Sequence, residues 1–121
     1  MGLDTYAAPF PDGELSEEDL KAFGEADLQL CGGFWCGDPG SFRGKVYATV
    51  VGRVSGVSLY REWIPPETVR EMASAFAHCG PEVLARDMAG EASARTATEI
   101  RSLGTFLSIC ADRGLGLVGW S

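Results

Sequence analysis

The order of apolar and polar positions along the chain shows two periodicities. Leu20, Phe23 and Leu28 fall on one helical face behind a well-marked start. There Ser16 precedes Glu17, Glu18 and Asp19, so a serine N-cap meets a carboxylate three residues on, with Leu15 and Leu20 at the staple positions. Val69, Met72, Ala73, Phe76 and Ala77 form a second helical stripe after Pro65-Pro66, ending near Cys79-Gly80-Pro81, and a short helical turn over 82–87 follows. Ile100, Leu103, Phe106, Leu107 and Cys110 form a third, from about Ala94 or Thr96 to Arg113, closed by Gly114. The ends of the chain behave differently. Residues 2–7 alternate Leu3 and Thr5 against Asp4 and Tyr6, and Leu115 to Trp120 reads as a strand or extended tail.

The stretch 42–54 pulls both ways. Phe42, Val46, Val50 and Val54 recur at helical spacing, while its valines, Tyr47 and Thr49 favour strands. Ser41 as an N-cap and Gly56 as a stop decide for a helix. The expected fold is α+β and mainly helical, a single domain over 1–121. It has three or four helices and a small sheet in which the terminal strands pair, with 28–30 as a third member.

Composition narrows the function. A length of 121 residues with 45% apolar content is enough for one core. A formal charge of −7 speaks against a general nucleic-acid binder and against anionic membrane surfaces. No apolar run approaches the ~20 residues of a membrane span, and the first residues lack a basic n-region and a long apolar h-region. A cytoplasmic location is the expectation, so the four cysteines are read as reduced thiols.

The candidate site is the Gly-, Cys- and aromatic-rich stretch 31–45 together with the aromatic segment 58–66. Phe34, Trp35, Tyr60 and Trp63 supply aromatic anchors, Arg43, Arg61 and Lys45 supply positive charge, and Ser41 offers a polar helix start. The two segments are expected to converge on one concave surface that recognises an anionic small ligand or a protein partner. Self-association through the same patch is a further expectation. No cofactor is implied.

Other chemistry is thinner. Gly40-Ser41-Phe42-Arg43-Gly44-Lys45 departs from a P-loop at Pro39 and Val46. Cys31, Cys36, His78, Cys79 and Cys110 include zinc-ligand types, but their spacing is not that of a zinc knuckle, so no metal is assigned. The alternative is an enzyme, thiol-dependent or metal-assisted and hydrolase-like, using Cys36 and His78. Glu17, Glu18, Asp19, Glu25 and Asp27 read as capping and surface charge. Asp4, in a short apolar strand, calls for a partner such as Arg43 or Arg61.

Three phrases, MGLDTYA, CGG…SFRGKVY and SLYREWIPPETVREMA, resemble a group of small uncharacterised proteins of bacteria and archaea that begin Met-Gly-Leu-Asp-x-Tyr. The resemblance spans most of the chain. It implies that the phrases belong to one site, and it assigns no catalytic or ligand residue.

Overall fold

A computed structural model of the chain describes residues 3–30, 40–92 and 94–120, with the backbone alone at 120. The elements run β1 (Asp4–Ala8), α1 (Glu17–Glu25), β2 (Ser41–Phe42), α2 (Gly44–Ser55), β3 (Trp63–Ile64), α3 (Pro66–Ala77), α4 (Pro81–Asp87), α5 (Ala97–Arg113) and β4 (Gly116–Trp120). Among the described residues the fold is α+β and mainly helical, with five helices and four strands where three or four helices were expected. No described helix is long and apolar enough to cross a membrane.

The four strands form one antiparallel sheet in the order β2-β1-β4-β3. The terminal strands do pair, and they occupy its centre, Asp4 opposite Trp120 and Ala8 opposite Gly116. Each edge is only two residues long, which leaves little unpaired backbone to recruit another strand. Residues 28–30 are not part of the sheet. Asp27 turns the chain with φ of 49°, and the Gln29 N–H donates to Ser102 Oγ at 3.0 Å. That bond and the packing of Leu28 and Leu30 on the core hold this segment along α5, away from the strands.

Local chemistry sets the helix ends. Ser16 and Asp19 exchange capping hydrogen bonds at 3.1 and 3.2 Å, and Thr96 and Glu99 do the same for α5. Pro66 and Pro81 open α3 and α4, where a missing N–H costs nothing. Gly56 and Gly114, at φ of 73° and 69°, close α2 and α5 in the left-handed conformation.

The start of α2 differs from the expected one. Ser41 is not its cap, because Ser41 and Phe42 are drawn into β2 opposite Tyr6 and Thr5. The helix begins after Arg43, whose side chain makes no capping bond. Gly44 lets it start there: a Cβ would stand 2.2 Å from Thr5 Oγ1, and the Lys45 N–H donates to the Leu3 carbonyl at 3.0 Å. Burial of Tyr47, Val50 and Val51 then overrides the strand preference of the valines.

One hydrophobic cluster draws on all five helices and on one face of the sheet. Leu3, Ala7, Phe42, Ile64 and Leu117 meet Phe23, Val69, Met72 and the apolar stripe of α5. Phe106 is its aromatic centre, with ring centroids 4.7 Å from Phe23 and 4.9 Å from Phe42. The helices therefore form one layer and the sheet the other.

Candidate functional site

Strand alternation divides the sheet residues between two faces. Thr5, Ala7, Phe42, Ile64 and Leu117 point toward the helices and are 2% exposed or less. Asp4, Tyr6, Ala8, Ser41, Trp63, Gly116 and Val118 lie on the opposite face. Ala8 and Val118 are buried but stand outside the hydrophobic cluster that the helices share. Among the described residues, no helix contributes to that second face.

The register aligns a complete row across this outer face. Ser41 is opposite Tyr6, Tyr6 is opposite Val118, and Val118 is opposite Trp63. Two residues of the expected site thus sit at the two ends of one row, with a tyrosine and a valine between them. Ser41, Tyr6 and Trp63 are each half-buried. The Trp63 indole leans diagonally over β4, where a Cβ on Gly116 would be 2.6 Å from Cη2 and 2.9 Å from Cζ2. Gly116, paired with Ala8 in the register, makes the shallow place that the ring occupies.

The row also corrects the expected geometry. β2 and β3 are the opposite edges of the sheet, three strand spacings or about 14 Å apart. The described parts of the two segments therefore do not close on one pocket. They are joined across β1 and β4. Arg43, extended at φ −79° and ψ 94°, continues the alternation of β2 beside Ser41 on the outer face, and Lys45 follows in the first turn of α2. Both are exposed.

At the far edge, Tyr60 is 59% exposed and its N–H donates to Ser58 Oγ at 3.1 Å. The Arg61 N–H donates to the Ser58 carbonyl at 3.4 Å, so the chain turns tightly before β3. That turn presses on Gly119, where a Cβ would lie 2.6 Å from the Arg61 carbonyl oxygen and 2.9 Å from that of Leu59. Phe34 and Trp35 lie outside the described residues.

Asp4 is half-buried on the outer face and ion-pairs with neither Arg43 nor Arg61. Phe42 and Tyr47 belong to the core at 1% and 0% exposure. Asp19 caps α1 and meets Arg113, and Glu25 pairs with Lys21 at 3.8 Å. His78 is exposed at the end of α3, its Nδ1 2.8 Å from the Ser74 carbonyl oxygen. Burial pushes the half-buried Cys79 thiol up, away from a reactive thiolate. Burial raises Cys110 further still, inside the core. Cys31 and Cys36 lie outside the described residues, and among the described residues no three His, Cys, Asp or Glu side chains converge for a metal.

Sequence reasoning missed the roles of Tyr6, Val118 and Gly116. Their signals were present: alternation around Asp4 and Tyr6, and glycines at 116 and 119 inside a strand pattern, where close approach by a neighbour is the usual cause. No protein-family model, curated protein or solved structure matches the chain.

Proposed function

We propose that this protein is a binding module whose ligand surface is the outer face of the sheet. Trp63 and Tyr6 supply aromatic contact there, and Arg43 and Lys45 at the β2 edge select a negatively charged partner. The observation that carries this reading is the row Ser41–Tyr6–Val118–Trp63, which crosses a face to which no described helix contributes. Half-buried aromatic rings next to exposed cations are the residue types that anchor interfaces. No covalent step is part of this reading, and a cytoplasmic location suits it.

Titration of the nitrogen-15-labelled chain with millimolar inorganic phosphate and citrate tests it by NMR. The expected result is shifts at the Ser41, Arg43 and Lys45 amides and at the Trp63 indole N–H. Arg43→Gln combined with Lys45→Gln should reduce the response. Shifts confined to the helical surface, or none with either anion, would remove the reading.

A further inference from the structure

We draw no further inference here: the strongest candidate, the exposed Phe10 ring in the Pro-Phe-Pro-Asp-Gly turn between β1 and α1, is a single apolar side chain at the surface, and nothing in the structure shows what covers it.

Discussion

The Trp63 indole lies against Gly116, so that the smallest residue of β4 makes the seat for the largest residue of β3. A Cβ at position 116 would also stand 2.4 Å from the Ile64 carbonyl oxygen, a backbone atom that moves only with its strand. Gly116→Ala should therefore lift the ring and strain the β3–β4 pairing together. Overpacking of this kind costs about 1–3 kcal/mol. Urea unfolding should show that loss, and near-UV circular dichroism should show a changed tryptophan environment. An alanine variant as stable as the parent, with an unchanged aromatic spectrum, would mean that the ring does not rest there.

Thr5 presents the opposite case. It is 1% exposed, and its hydroxyl is buried with no hydrogen-bond partner among the described residues. It faces the helices beside Gly44, at the point where α2 begins. A buried hydroxyl left unpaired carries a desolvation cost of about 1–3 kcal/mol. Thr5→Val keeps the branched shape and removes that cost, so it should stabilise the fold by about 1 kcal/mol. A fall in the urea midpoint would show that the hydroxyl is paired in solution.

The elements with strong local signals were legible without coordinates. Ser16 with Asp19 and Thr96 or Ala94 with the following stripe announce α1 and α5, because a capping box and a 3.6-residue period are properties of consecutive residues. The pairing of the terminal strands was also foreseen. The edges were not. A two-residue strand such as Ser41–Phe42 has no period of its own, and it exists because Tyr6 and Thr5, far away in sequence, offer it backbone partners. That pairing moved Ser41 from a helix cap to a strand. The same limit applied to the candidate site: Ser41, Arg43 and Trp63 could be named as residue types, but their separation across β1 and β4 is set by strand order, which no local pattern encodes.

Tyr47 joins α2 to the start of α5. Its hydroxyl donates to Glu99 Oε2 at 2.7 Å, while Glu99 Oε1 accepts from the Thr96 N–H at 3.2 Å. One carboxylate thus serves a buried tyrosine and a helix cap. Tyr47→Phe should cost about 1–2 kcal/mol, in the range of a hydrogen bond to a charged group that is partly screened. Tyr47→Leu should cost more, since it also removes the ring that Arg95 faces and the edge contact with Phe42 at 5.8 Å. In a double-mutant cycle Tyr47→Phe and Glu99→Gln should be non-additive. Strict additivity in unfolding free energy would dissolve the proposed link.

Asp19 makes stability depend on acid. Burial by itself would raise its carboxyl, but the hydrogen bonds from Arg113 Nε and from Ser16 outweigh it and hold the group below the ordinary aspartate value of 3.8. A carboxyl lowered in the folded state binds protons more readily when unfolded. Its contribution is therefore complete above about pH 4 to 5 and is lost as the pH falls through 3.8 and on past the folded value. Asp19→Asn keeps a polar cap and discards the titration. The parent should be the more stable protein at pH 7, and the gap between the two should close progressively below pH 4. Urea unfolding across pH 7 to 2 measures that gap directly. A gap that stayed constant over the whole range would show that the Asp19–Arg113 contact adds no charge-dependent stability between α1 and α5.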